Sequence, residues 1–335
     1  MAKEIWKGED KIYGEQRIED PVITALVSSE PMQRLKKLNQ FGLPDELYHL
    51  KGFSRYEHSI GVMYLLQHLG ASDEEQVAGL LHDVSHTAFS HVYDWVVGTA
   101  GKEDSQDDGH EQFIRGSEIK SILEEHGYSV DRITDYHHFG LLERESPDLC
   151  ADRVDYVLRE IDPGLAKEIF IGLRVFNGQI VCAEEATASK LGKAFLNKQI
   201  NHWGGYEGMS RYSLFSTALK RALELGIIQK QDFLDDDDYI VAKLEASKDK
   251  LVQDTLAYLR QNPLPRVTEG QTVTKKFRFI DPSFISEGKL VRLTEVDEEY
   301  RQSLENARLA NKKGVVVPNL ISTNPLGVTP KTAKY

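Results

Sequence analysis

Apolar residues recur at helical spacing along most of the chain up to about residue 260. Between Tyr56 and Leu69 the stripe is Ile60, Val62, Met63, Leu65, Leu66 and Leu69, and a second begins at Asp73 and runs through Val77, Leu80, Leu81 and Val84. These spacings predict two packed helices. Further helices are predicted at about 23–39, 111–126, 129–138, 147–161 and 206–225, after a short strand or turn in the first thirty positions. Strict alternation is scarce, so the fold class is mainly α. The exception is LRVFNGQIVC at 173–182, where Asn177 and Gly178 suit a tight primed turn between two short strands.

After Asn262 the pattern changes to NPLPRVTEG, then to KKFRFIDP and SEGKLVRLTEV, which predicts a small α+β appendage over 263–335. The main helical domain is expected at 31–262, with 1–30 as a lead-in. The polar, glycine-punctuated run from Gly98 to Gly109 reads as a mobile loop, and Pro318, Pro325 and Pro330 mark a loose tail. Asp235 to Asp238 read as the solvated start of a helix.

Of 335 residues, 40% are hydrophobic and 28% charged, a balance that points to a folded soluble protein rather than to disorder. A net charge of -12 disfavours broad attachment to nucleic acid or to anionic membrane, so a phosphate-bearing partner must meet a local positive pocket. Two cysteines, Cys150 and Cys182, are too few for a disulfide framework or a thiolate zinc cluster, which fits a reducing cytoplasm. No segment reaches the roughly 20 apolar residues that span a bilayer, and the first residues lack a secretory pattern.

Histidines and carboxylates concentrate between residues 55 and 155. His58 falls on the first predicted helix, His82 and Asp83 on the second, and Asp152 on a later one. Imidazole nitrogens and carboxylate oxygens converging from separate elements suit a transition-metal or similar divalent ion better than calcium. His86 follows His82 by four residues, so the two share a helical face on this reading, and His91, Asp94, His110 and Glu111 follow. Taken singly, each has an ordinary explanation as a helix cap, a solvated face or a core histidine.

Together, RYEHSIGV, LLHDVSHTAFSH, His110 with Glu111, and ADRVDY at 151–156 resemble the HD-domain phosphohydrolases, and among them the deoxynucleoside triphosphate triphosphohydrolases, over roughly residues 30–245. The resemblance implies an HD-type helical bundle. It implies one divalent ion per site, of iron, manganese, zinc, nickel or magnesium, on His58, His82, Asp83 and Asp152. It places His86, Asp94 and His110 around the reacting phosphate, His91 as proton donor to the leaving oxygen, and Glu111 as the acid that orients His110. Arg55 matches an α-phosphate contact and Arg153 a basic position near the terminal phosphate. Gln40 matches a sugar reader, Tyr156 and Glu160 a wall beside the sugar, and Tyr206 with Arg211 a partial counterpart of a basic, tyrosine-containing run.

The implied reaction is attack of metal-activated water on the α-phosphorus of a dNTP, giving deoxynucleoside and tripolyphosphate. Two alternatives stand beside it: a phosphodiesterase or nucleotidase acting on another nucleotide ester, and a non-catalytic nucleotide sensor. His137 and His138 resemble the doubled histidine of two-metal phosphodiesterases, but the glycine-rich continuation of that group is missing. Relatives commonly assemble, so a homo-oligomer is an expectation; a stable nucleic-acid partner or a membrane is not.

Overall fold

The computed structural model describes residues 6–101 and 109–320. An antiparallel hairpin, β1 (Trp6–Asp10) and β2 (Gly14–Ile18), precedes α1 (Pro21–Ser28) and α2 (Glu30–Arg34). The single helix expected over 23–39 is therefore broken. Ser29 is extended, Pro31 follows, and Leu35–Lys37 form only a 3-10 turn.

α3 (Arg55–His68) starts from a capping box in which Ser54 and Glu57 satisfy each other's backbone N–H groups. It packs along α4 (Asp73–Leu81), capped by the Ser72 hydroxyl. The helix expected to continue through Val84 stops at Leu81, because the His82 ring bonds back to the Gly79 carbonyl oxygen at 2.7 Å and terminates the ladder. His82 and His86 consequently do not share a helical face; a turn through Asp83 brings them to the same place, with the His86 N–H on the Asp83 carbonyl oxygen.

Short helices follow: α5 (His91–Val97), α6 (His110–Arg115), α7 (Glu118–Glu125) and α8 (Val130–Thr134). Gly116 and the capping Ser117 divide the helix expected at 111–126. The predicted loop at 98–109 lies mostly outside the described residues, as does the tail beyond 320. α9 (Ala151–Glu160) and α10 (Pro163–Ile171, capped by Asp162) lead to β3 (Leu173–Phe176) and β4 (Gln179–Cys182). The expected hairpin is present, with Asn177 and Gly178 at φ 49° and 72°.

α11 (Glu185–Lys198) runs into one π-type turn at 199–203, then α12 (Tyr206–Glu224), α13 (Asp237–Ala246) and α14 (Lys250–Leu259) complete the helical body. Leu66, Leu81, Phe89, Phe195 and Phe215 lie in one continuous apolar core. The C-terminal residues comprise β5 (Gln271–Val273), β6 (Ser283–Ser286), β7 (Lys289–Arg292), α15 (Leu293–Val296), α16 (Glu298–Lys313) and β8 (Val315–Val317). β6 pairs in parallel with β4, Cys182 opposite Phe284, so the 173–182 hairpin and the C-terminal hairpin make one four-stranded sheet in the order β3-β4-β6-β7. Among the described residues no helix is long and apolar enough to cross a membrane.

Candidate metal centre

Three elements bring the donors together: α3 carries His58, the turn after α4 carries His82 and Asp83, and α9 carries Asp152. The two Nε2 atoms of His58 and His82 lie 3.3 Å apart. Asp152 Oδ1 stands 2.9 Å from the first and 3.6 Å from the second, and Asp83 Oδ1 is 3.6 Å from His82 Nε2. Each imidazole is oriented from behind. His82 Nδ1 donates to the Gly79 carbonyl oxygen, and His58 Nδ1 donates to Asp155 Oδ2 at 2.7 Å, which leaves both Nε2 lone pairs facing the shared space.

Asp155 is fully buried and also accepts from Tyr13 Oη and Arg159 Nε, each at 2.7 Å. Burial alone would raise its pKa, but the Arg159 charge prevails and lowers it. Gly61 permits this arrangement, since a Cβ there would collide with Arg159 and Asp155. The donor set fits a divalent cation: bare nitrogens and carboxylates converge where a positive charge is the natural complement. Without one, protons serve instead. Burial acts to lower the His58 pKa, yet its bonds to Asp152 and Asp155 raise it to about 9, and the Asp83 charge overcomes burial to raise that of His82.

Arg55 closes one side. Its guanidinium is fully buried, donates through Nη1 to Asp83 and through Nε to Ser90 Oγ at 2.6 Å, and has no partner for Nη2 among the described residues. Against burial, that charge holds Asp83 well below the usual carboxylate range. Ser90 and Phe89 both have positive φ, 47° and 62°, a conformation costing on the order of 1–3 kcal/mol per residue. Asp237 holds this turn: its carboxylate accepts from Phe89 N and Asn39 N, each at 2.8 Å. The aspartate run read as a solvated helix start therefore contains one buried clamp, although Asp236 does cap α13.

His86 Nε2 lies 3.3 Å from Asp83 Oδ1, and burial followed by the Arg55 charge lowers its pKa to about 3. His91 lines the same cavity, its Nδ1 3.3 Å from Asp94 Oδ2; Asp94 sits behind it, also accepting from Thr99. His110 is buried between Ser85 Oγ (2.9 Å) and Tyr136 Oη (2.6 Å), and burial lowers its pKa to about 4. Glu111 does not orient it. That side chain is exposed and pairs with Arg115, because it falls on the solvent side of α6, where an i,i+4 partner is within reach. His137 and His138 are also exposed.

The donors open onto a cavity of about 370 Å³. Gln40, Arg55, Arg153, Tyr156 and Glu160 all line it. Arg153 donates to Glu143 at 2.9 Å. Glu160 is not open to a sugar, however. Its Oε2 takes His202 Nδ1 at 2.6 Å and its Oε1 takes Trp203 Nε1 at 2.8 Å, while His202 Nε2 meets Tyr48 Oη at 2.9 Å. The π-type turn after α11 presents His202 and Trp203 to this network.

Tyr206 and Arg211 lie outside the cavity. Tyr206 donates to the Pro265 carbonyl oxygen, and Arg211 is wholly buried on the carbonyl oxygens of Leu47, Leu259 and Gln261, a cross-tie from α12 to two distant segments. Several residues that line or support the cavity were not singled out from sequence. Asp155 could have been, since Asp152, Asp155, Tyr156 and Arg159 share one helical face. Lys275, Lys276 and Arg278 also line the cavity, from a stretch read only for its β character. Ser90, Tyr136, His202 and Trp203 carry no local signal.

The HD domain model matches residues 55–160, the span that carries all four donors. YdhJ of Bacillus subtilis is 37% identical over 320 residues, covering 92% of this chain and 97% of its own. The metal-dependent phosphohydrolase cns2 of Cordyceps militaris is 30% identical over 232 residues, 66% of this chain and 67% of its own. The deoxynucleoside triphosphate triphosphohydrolase SAMHD1 of Homo sapiens is 29% identical over 140 residues, 35% of this chain and 22% of its own. The family match coincides with the segment whose imidazoles and carboxylates converge, and the chain belongs to the HD-domain metal-dependent phosphohydrolases.

Proposed function

We propose that this phosphohydrolase acts on deoxynucleoside triphosphates, releasing deoxynucleoside and tripolyphosphate. The observation that carries the reading is the single cavity that joins the donor cluster and its flanking cations to a wall of Gln40, Phe41, Tyr48, Tyr156 and Trp203. Such a cavity matches a molecule anionic at one end and flat and uncharged at the other. The likeness to a triphosphohydrolase favours the triphosphate among nucleotides.

An ion held by His58, His82, Asp83 and Asp152 supplies Lewis acidity, lowering the pKa of water and drawing charge from a phosphoryl oxygen. The chain's own residues do the rest. Arg55 Nη2, which has no hydrogen-bond partner among the described residues, offers its N–H groups to an oxygen of the α-phosphate. His86, neutral near pH 7, is held with Nε2 3.3 Å from Asp83 Oδ1, so its single N–H is committed to that carboxylate and it adds no charge beside the phosphate. The oxygen of water bonds to the α-phosphorus and gives up a proton to solvent, the bond from phosphorus to the 5' oxygen breaks, and His91, entering the step as the imidazolium oriented by Asp94, delivers a proton to that 5' oxygen.

Chromatography of products in ¹⁸O-labelled water tests the scheme. Deoxynucleoside and labelled tripolyphosphate are expected; stepwise release of orthophosphate overturns it.

A further inference from the structure

Residues 274–282 form a stretch without regular secondary structure between β5 and β6, lying across the cavity wall. The stretch is anchored along its length. The Lys275 carbonyl oxygen accepts from Asn311 Nδ2 at 2.9 Å, Arg278 N donates to Gln199 Oε1 at 3.1 Å, the Ile280 carbonyl oxygen accepts from Tyr300 Oη at 2.6 Å, and Asp281 N donates to the Pro147 carbonyl oxygen at 2.9 Å. The Arg308 guanidinium covers the Phe279 ring at 4.3 Å. Fixed in this way, Lys275, Lys276 and Arg278 face the cavity that also holds His82, Asp83 and Asp152.

The helical body contributes Arg55 and Arg153 to the same cavity, where they pair with Asp83 and Glu143 respectively. Lys275, Lys276 and Arg278 add three cationic side chains within four positions to the lining of that cavity. Lys275 Nζ lies 4.2 Å from the centre of the Tyr212 ring, and Arg278 Nη2 lies 3.3 Å from His91 Nε2. The basic wall thus reaches the residue placed beside the leaving oxygen.

We propose that Lys275, Lys276 and Arg278 bind the phosphates lying beyond the one attacked, so that the site selects ligands carrying a chain of two or more phosphates. This rests on the nucleotide phosphohydrolase reading above and names the part of the substrate that the C-terminal residues hold. Arg grips two oxygens of a phosphate at once while the lysines act as point charges, a division suited to a flexible anionic chain. An oligophosphate engaging Arg278 draws the guanidinium from His91 Nε2 and leaves that nitrogen to face the leaving oxygen.

The test is calorimetric titration of the metal-loaded full chain with inorganic tripolyphosphate and with orthophosphate, on wild type and on the Lys276→Gln, Arg278→Gln double variant. Tripolyphosphate affinity is expected to fall roughly tenfold or more, and orthophosphate affinity by less than about threefold. Metal content and Tm should be unchanged. Equal losses for both ligands, or no loss, overturn the proposal. Should the double variant fail to fold, Lys276→Gln alone decides, since that side chain is exposed: selective weakening of tripolyphosphate supports the site, and unchanged affinity overturns it.

Competition separates the two sources of such a chain. Tripolyphosphate displaced by a dNTP supports a nucleotide's own phosphates as ligand; simultaneous binding of both overturns that. A wild type that turns over no dNTP, yet binds tripolyphosphate through these residues, removes the triphosphohydrolase reading and keeps the oligophosphate site. Turnover of dNTPs with unimpaired variants does the reverse.

Discussion

The two ends of the cavity bury polar groups in opposite ways. At the far end, Tyr48, His202, Glu160 and Trp203 form a chain in which each side-chain donor meets an acceptor. At the metal end, two imidazole nitrogens stand 3.3 Å apart with carboxylates around them, and Arg55 Nη2 has no partner among the described residues. A satisfied network is a finished wall that sets shape. Converging unsatisfied donors are costly to bury, and the cost is relieved only by something that enters, whether a cation or protons.

Removing a donor from the unfinished end should have the largest effect. Asp83→Ala is expected to abolish tight metal retention and to lower kcat about a thousandfold or more, equivalent to ~4 kcal/mol of barrier. Elemental analysis alongside turnover checks it; retained metal with retained activity breaks the contrast.

Next comes pH. In the metal-free protein the His58 pKa stands at about 9 against 6.5 when unfolded, so the stabilising proton is fully effective below 6.5 and is lost as pH rises through 9. Chelator-treated protein should lose on the order of 3 kcal/mol of stability across that window, while metal-loaded protein should not. Denaturant titrations at pH 6 and pH 9.5 measure both.

Asp155→Asn keeps the shape behind His58 but removes the charge; metal affinity should fall by about 10–100-fold, read by competition with a chromogenic chelator. At the finished end, Glu160→Gln offers one acceptor to two donors. It should cost about 1–3 kcal/mol of stability and act on KM more than on kcat, while metal content stays at the wild-type level. A loss of metal there would erase the distinction between the ends. The smallest effect belongs to Glu111→Gln, whose exposed pair with Arg115 predicts turnover within about twofold of wild type.

The sequence was legible where local chemistry decides structure. α3 follows from its apolar spacing, and the 173–182 hairpin from Asn177 and Gly178. The convergence of His58, His82, Asp83 and Asp152 was likewise readable, as residue types suited to one ion. The end of α4 was not, because the His82 ring competes for the Gly79 carbonyl oxygen, a choice that apolar periodicity does not register. Arg211 was misassigned for a related reason: the carbonyl oxygens that hold it belong to residues 47, 259 and 261. Glu160, expected beside a sugar, is instead engaged by His202 and Trp203, which arrive from a π-type turn with no local signature. Hydrogen bonds between remote segments leave no periodic trace.

The pairing of Cys182 with Phe284 imposes an order of assembly. A chain synthesised only as far as residue 260 already carries His58, His82, Asp83 and Asp152, whereas Lys275, Lys276, Arg278 and the β6 strand that follows them are still to be added. Closing that hundred-residue span makes the four-stranded sheet a non-local part of the fold, one that cannot form until both of its hairpins exist.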